Sequence, residues 1–275
     1  MENNVGNFIA QKRRELGLTQ QKLAQQLNVS FQAISKWENG AATPDISLLP
    51  QIASILNTSV DALVGYHYGF KTDYEEKYKT EAYYWGLKPN NLCYEIMQLM
   101  PPTKPYRVLD IGCGEGKDAV FLARNGYIVT AFDLAETGLE KAKRLAKANR
   151  VEVDFFRADV NDFVPQAEFD IIFSSGVFHY IEAEQRKRLI DSLKEATAPQ
   201  GIHAINVFVD KPFLQKAPDR EEAEKKRTPW YSGELFRYYH DWLFHKNDEV
   251  IFDCNSGGVP HKHCMDIMIA RKEIG

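Results

Sequence analysis

The nine residues Val108-Leu-Asp-Ile-Gly-Cys-Gly-Glu-Gly116 limit what this 275-residue chain can fold into more than any other stretch. An apolar strand pattern runs into three glycines, and helical text follows from Lys117. Glycines at the carboxyl end of a buried strand let the backbone approach a ligand closely. The spacing here is Gly-x-Gly-x-Gly, over Gly112, Gly114 and Gly116, whereas dinucleotide sites use Gly-x-Gly-x-x-Gly.

Charge sharpens the choice of ligand. Asp110 lies two residues before the first glycine, where a carboxylate would repel a pyrophosphate lodged at the helix N-terminus. The same carboxylate would attract the ammonium and sulfonium of S-adenosylmethionine. Asp133 ends the next strand and can accept hydrogen bonds from both ribose hydroxyls. Asp159, after the third strand, can accept from the adenine amino group, with Phe132 and Val160 expected to sandwich the ring. Taken singly, each aspartate also reads as a strand-end turn residue; three at consecutive strand ends point to one site. Cys113, Leu134 and Ser175 complete the candidate cofactor contacts.

Strand and helix patterns alternate around this motif. Strands are predicted at Arg107–Ile111, Tyr127–Asp133, Val151–Arg157, Phe169–Ser174 and Gly201–Phe208, with helices at Lys117–Asn125, Ala135–Ala148 and Glu182–Ala196. Such alternation implies a parallel sheet covered on both faces. It breaks late, with a helix near Gly233–Tyr239 and strands near Val250–Asp253 and Met265–Arg271.

Residues ~82–275 resemble a class I methyltransferase, most closely the tellurite-resistance methyltransferase family. The resemblance rests on Leu109-Asp-Ile-Gly-Cys-Gly-Glu-Gly116, Phe121-Leu-Ala-Arg-Asn-Gly-Tyr127, Ser174-Ser-Gly-Val-Phe-His-Tyr180, Gly233-Glu-Leu-Phe-Arg-Tyr-Tyr239 and Ile269-Ala-Arg-Lys272. It implies an α/β, Rossmann-like fold with a seven-stranded, mostly parallel sheet whose last strand is antiparallel. It also implies S-adenosylmethionine as cofactor.

On the acceptor side, methyl transfer needs mainly in-line positioning, because the sulfonium is already a strong electrophile. Ser175, Gly176, Val177 and His179 are expected to face the methyl group. His179 reads either as a base or anion-binding residue, the candidate catalytic group, or as a cap for the following helix. Tyr84, Trp85 and Lys211 are the candidate substrate contacts. The insertion Asp210–Ser232 reads as a lid, and its charged run Asp219–Arg227 as a solvated helix face. Cys254, His261, His263 and Cys264 match no standard zinc spacing, so no metal is expected and the segment reads as a loop between the last two strands.

The N-terminal text is wholly helical over residues 5–64. Thr19 and Ser30 stand where N-caps belong, and Gly17 and Gly40 where helices end. Leu18 to Gly40 resembles the Cro/repressor (XRE) helix-turn-helix, which implies a small all-α domain binding double-stranded DNA. In that mapping Gln20 would bond phosphate, and Phe31, Gln32 and Lys36 would face base edges, with Ser35 a weaker backbone candidate. Residues 1–66 carry five basic and five acidic side chains, so Lys12, Arg13, Arg14, Lys22 and Lys36 must gather on one face to hold phosphates. A homodimer on a two-fold site would strengthen such binding. A helical dimerisation or docking module is the competing reading.

The expected organisation is thus a helix-turn-helix domain at 1–66, a linker at 67–81 and a methyltransferase domain at 82–275. A net charge of −4 argues against a wholly basic nucleic-acid coat protein. Four cysteines without paired spacing read as reduced thiols, and no run suits a signal peptide or a membrane span, so a cytoplasmic location is expected. The functional expectation is a DNA-binding regulator fused to a methyltransferase for a small soft or anionic acceptor, such as tellurite or a thiol. A regulator that only senses S-adenosylmethionine or a toxic ligand is the alternative. Methylation of DNA itself is disfavoured, because Ser174-Ser-Gly-Val stands where an Asn/Asp-Pro-Pro-Tyr signature would be needed.

Overall fold

A computed structural model describes residues 4–56, 58, 60–63, 74–214, 228–254 and 260–273. The chain divides into two compact units, Met1–Phe70 and Lys71–Gly275.

The first unit contains α1 (Asn4–Glu15), α2 (Gln20–Leu27), α3 (Phe31–Glu38), a 3-10 turn at Ile46–Leu48, α4 (Leu49–Ile55) and α5 (Val60–Leu63). The Thr19 hydroxyl accepts from the Lys22 N–H at 3.1 Å and Ser30 from Ala33 at 3.2 Å, satisfying donors at the starts of α2 and α3. Between those helices the chain reverses through Asn28 in the left-handed region at φ 53°, a position more often filled by glycine. The amphipathic faces close over one core that includes Ile9, Leu23, Leu27, Ile34, Trp37 and Ile52.

The second unit contains α6 (Tyr74–Lys77), α7 (Asn91–Leu99), β1 (Arg107–Ile111), α8 (Lys117–Arg124), β2 (Ile128–Asp133), α9 (Glu136–Ala148), β3 (Asp154–Arg157) and β4 (Phe169–Ser175). After a 3-10 turn at Phe178–Tyr180 come α10 (Ala183–Glu195), β5 (Thr197–Val209), α11 (Glu234–Arg237), β6 (Leu243–Cys254) and β7 (His261–Arg271). The seven strands lie in the order β3-β2-β1-β4-β5-β7-β6. Strands β1 to β5 pair in parallel, and β7 runs antiparallel between β5 and β6. Strand order reverses between β1 and β4, the place where open sheets of this kind bind ligands. One apolar layer, with Phe178, Leu189 and Trp230, covers one face; another, with Leu92, Ile96 and Leu122, covers the other.

Several expectations change, among them the loop read over 252–264: Cys254 ends β6, and His261, His263 and Cys264 lie in β7, which starts at His261 rather than near Met265. Residues 74–81, read as linker, pack within the second unit, as detailed below; residues 67–73 lie outside the described residues. Helix α7 was not foreseen, although Asn90 caps it by accepting from the Leu92 N–H at 2.9 Å and buries Leu92, Cys93 and Ile96 along one side. Strand β6 starts at Leu243 rather than near Val250, because it is an edge strand whose run Asn247 to Ile251 is exposed and shows no apolar alternation.

Candidate active site

The glycine turn sits at the carboxyl ends of β1 and β2. Gly112, Gly114 and Gly116 all adopt positive φ, at 72°, 53° and 83°. A β-carbon on Gly112 would stand 2.2 Å from Val177 Cγ2, and one on Gly116 2.6 Å from Ala142 Cβ, so these positions leave no room for a side chain. The Asp133 carboxylate braces the turn: one oxygen accepts from the Gly114 N–H at 2.8 Å and the other from Ala135 at 2.9 Å. Burial raises the Asp133 carboxyl above its ordinary range, opposed by these backbone hydrogen bonds.

Asp110 is 1% exposed, and its Oδ2 is buried without a hydrogen-bond partner. Burial pushes its carboxyl well above the usual carboxylate range; Asp118 and Asp133 add to the rise and Lys117 opposes it. A buried acceptor with no donor is costly unless a ligand satisfies it. A cationic ligand would do so, which fits the ammonium and sulfonium of S-adenosylmethionine and not a pyrophosphate.

The other candidates spread along the same edge. Asp159 accepts from the Asn161 N–H at 2.9 Å, and Val160 is buried beside it. Leu134 and Cys113 are half-buried, the Cys113 thiol being pushed well up by burial with Asp110 and Asp133 adding. The Ser175 hydroxyl accepts from Asn90 at 2.8 Å and from Asn206 at 3.0 Å, while the Asn206 carbonyl accepts from the Gly176 N–H at 2.7 Å. Phe132 departs from expectation. It is 1% exposed and stacks on Phe163 at 4.3 Å, so it belongs to the core rather than to a wall against adenine.

The segment read as linker is tied to this turn. Glu75 accepts from the N–H groups of Glu136 at 2.7 Å and Thr137 at 3.2 Å, capping α9, whose own Ala135 offers no side-chain cap. Lys141, buried and paired with Glu115, donates to the carbonyls of Thr80 at 2.9 Å and Ala82 at 2.7 Å. Tyr78, 5% exposed, lies against Gly138 and places its hydroxyl beside Gly114. Sequence reading missed Glu75, Tyr78 and Lys141, because tyrosines mixed with charges carry no apolar period.

Tyr84 and Trp85 join an aromatic group with Tyr74, Tyr78 and Tyr180. Their rings meet at 4.8 Å, Trp85 Nε1 donates to the Tyr78 hydroxyl at 3.3 Å, and Tyr180 donates to the Tyr74 hydroxyl at 3.4 Å. His179 is next in line, its ring 4.0 Å from Tyr180 and 4.8 Å from Phe208. Lys211 is not brought to this group. Its ammonium donates to Glu249 at 2.6 Å and Ser232 at 2.5 Å; Glu249 pairs with Asp266, on the face of the sheet opposite Phe208 and His263. Two-residue alternation along the strands separates Lys211 from His179.

Only the ends of the expected lid are described, and Asp219–Arg227 lies outside the described residues. Near its C-terminal end, one residue is core while Tyr231 and Ser232 stay exposed. Trp230 is 1% exposed, donates from Nε1 to the Phe178 carbonyl at 2.8 Å and carries the buried Arg186 guanidinium over its ring at 4.2 Å.

In the first unit, Phe31, Gln32 and Lys36 are exposed along α3 and Ser35 is half-buried. Gln20 and Arg13 depart from expectation. Gln20 Nε2 donates to Glu38 at 2.8 Å, and Arg13 grips the same carboxylate through two nitrogens at 2.6 and 2.9 Å. Arg13 is thereby withdrawn from the set of cations available to phosphate. Arg14, Lys22 and Lys36 remain exposed, and Lys12 pairs with Glu15 at 2.8 Å.

Comparison with known proteins agrees with this architecture. A helix-turn-helix family model matches residues 9–63, and a methyltransferase-domain model matches residues 108–201. The chain is 23% identical over 221 residues to the probable S-adenosyl-L-methionine-dependent methyltransferase TehB of Haemophilus influenzae, covering 79% of this chain and 72% of that one. The crystal structure of TehB from Haemophilus influenzae superposes with a TM-score of 0.59 at 24% identity, covering 73% of this chain and 66% of that one. A Burkholderia thailandensis 1,6-didemethyltoxoflavin-N1-methyltransferase, solved with bound 1,6-didemethyltoxoflavin and S-adenosylhomocysteine, superposes with a TM-score of 0.51 at 21% identity, covering 66% of this chain and 77% of that one. This chain therefore carries an N-terminal helix-turn-helix domain and a Rossmann-like methyltransferase domain, and is an S-adenosylmethionine-dependent methyltransferase.

Proposed function

We propose that this protein is a DNA-binding regulator that also methylates a small soft or anionic acceptor, a tellurite-like oxyanion or a small thiol. The observation that carries the reading is the partnerless buried oxygen of Asp110, on the strand beside the β1/β4 switch, which calls for a positively charged partner. S-adenosylmethionine supplies an electrophilic methyl group on a sulfonium. Asp110 would hold its cationic end, Asp133 its ribose and Asp159 its adenine, with Gly112, Gly114 and Gly116 giving close backbone approach. Ser175 and Gly176, fixed by Asn90 and Asn206, would border the methyl group. His179 would orient the acceptor or take its proton, and Tyr84 and Trp85 would close the acceptor side and exclude water. The soft-acceptor assignment rests on the sequence resemblance to the tellurite-resistance methyltransferase family. Lys211, held by Glu249, has no part in it.

The helix-turn-helix unit would take double-stranded DNA on α3, with Gln32 and Lys36 at base edges and Phe31 beside them. A single neutral unit binds phosphate weakly, so a homodimer on a two-fold operator is part of the proposal.

Turnover tests the reading. Purified protein given S-adenosylmethionine and a panel of tellurite, selenite, thiols and hydroxylated aromatics should yield S-adenosylhomocysteine with a soft or anionic member and not with the hydroxylated aromatics. Binding of cofactor with no product from any acceptor would leave a sensor instead.

A further inference from the structure

We propose that Cys254, His261 and His263 form a metal site for a borderline or soft divalent cation, the three donors gathered among the described residues leaving a fourth position open to exchange. Chain spacing hides the site; strand register creates it. In the β6–β7 pair Cys254 stands opposite His261, and Phe252 opposite His263. Cross-strand partners share a face, and residues two apart on one strand share it too, so all three side chains project from the same side of the hairpin. Their ligand atoms all lie within 4.8 Å of one another, and the two imidazole Nε2 atoms are 2.8 Å apart.

These separations suit one ion. Metal–nitrogen bonds of ~2.0–2.1 Å and a metal–sulfur bond of ~2.3 Å in a tetrahedral site give donor–donor edges of roughly 3.3–3.6 Å. Small side-chain rotations bring the three donors to those edges. A thiolate with two imidazoles selects zinc or copper over magnesium or calcium, which take oxygen donors. Cys264, adjacent in sequence, faces the other side of the sheet, is 2% exposed and packs in the core, so it is excluded as a fourth donor. Apolar rings wall the cluster: Phe208 lies 4.9 Å and Phe252 5.9 Å from the His263 ring. Three protein ligands with an open position are the arrangement of sites that exchange a bound water or thiol, not of closed structural sites. The site stands independently of the methyl-transfer reading.

Cobalt(II) and zinc titrations of the full chain test this. One equivalent of cobalt should bind with tetrahedral d–d bands and a thiolate-to-cobalt charge-transfer band, which Cys254→Ser abolishes. His261→Ala and His263→Ala should each weaken zinc affinity by about tenfold or more, the scale on which even outer partners of a ligand act. Zinc should also protect Cys254 of the unaltered protein from alkylation, read by mass spectrometry, which decides the matter even if a variant fails to fold. An octahedral cobalt spectrum, or Cys254 alkylation unchanged by zinc, would overturn the proposal.

Discussion

A β-carbon placed on Gly112 would meet Val177 Cγ2 at 2.2 Å, so the glycine turn after β1 and the loop after β4 are fitted to each other across the switch point. Gly112→Ala would force both a clash and an unfavourable φ of 72°. Overpacking of this kind costs roughly 1–3 kcal/mol. The expected result is a lowered melting temperature and weakened S-adenosylmethionine binding by calorimetry. Adding Val177→Ala should recover part of the loss; no recovery would show that the backbone conformation alone is responsible.

Asp133 holds the Gly114 and Ala135 N–H groups. Asp133→Ala leaves both donors unanswered and removes the proposed ribose acceptor. Cofactor affinity should fall at least about tenfold, or ~1.4 kcal/mol. Unchanged affinity would remove Asp133 from the cofactor site.

On the proposed assignment, Asp110 should make cofactor binding pH-dependent. Burial, with Asp118 adding, raises its carboxyl in the free protein. A bound cation lowers it again and expels the proton, so affinity rises with pH through the range in which free Asp110 titrates. Calorimetry in buffers of differing ionisation enthalpy should register proton release, and Asp110→Asn should abolish that buffer dependence. Equal heats in all buffers would contradict the assignment.

Glu38 secures the first unit. Its partial burial raises the carboxyl, but hydrogen bonds from Arg13 and Gln20 outweigh that and leave it below the ordinary range. A depressed acid stabilises the fold above its unfolded pKa, near 4.3, and that contribution is lost as pH falls through the folded value. Glu38→Ala, which leaves the half-buried Arg13 charge without its carboxylate, should cost roughly 1–3 kcal/mol. Hydrogen exchange of α1 to α3 amides in the full chain would report it; unaltered protection would refute it.

His203 sets a second acid limit, in the methyltransferase unit. It is fully buried, bonded to Thr197 and Tyr239 at 2.7 Å each. Burial, with Lys194 and Lys272 adding, holds its pKa well below the ordinary value. The unfolded chain therefore binds the extra proton, and stability present above about pH 6.5 declines as pH falls below it. The melting temperature of the unit should fall across that interval, with a shallower fall in His203→Gln.

Local order was legible in the sequence. The strand–glycine–helix run at Val108–Gly116 and the caps at Thr19 and Ser30 rest on residues close together in the chain, and sequence spacing reports those directly. Tertiary structure decided what long-range register brings together. It set Glu75 and Tyr78 against α9 and the glycine turn, turned Gln20 and Arg13 inward to Glu38, parted Lys211 from His179, and joined Cys254 to His261 and His263. The physical reason is the same in each case: a polar or charged side chain shows no period of its own, and its partner is chosen by packing at a distance along the chain.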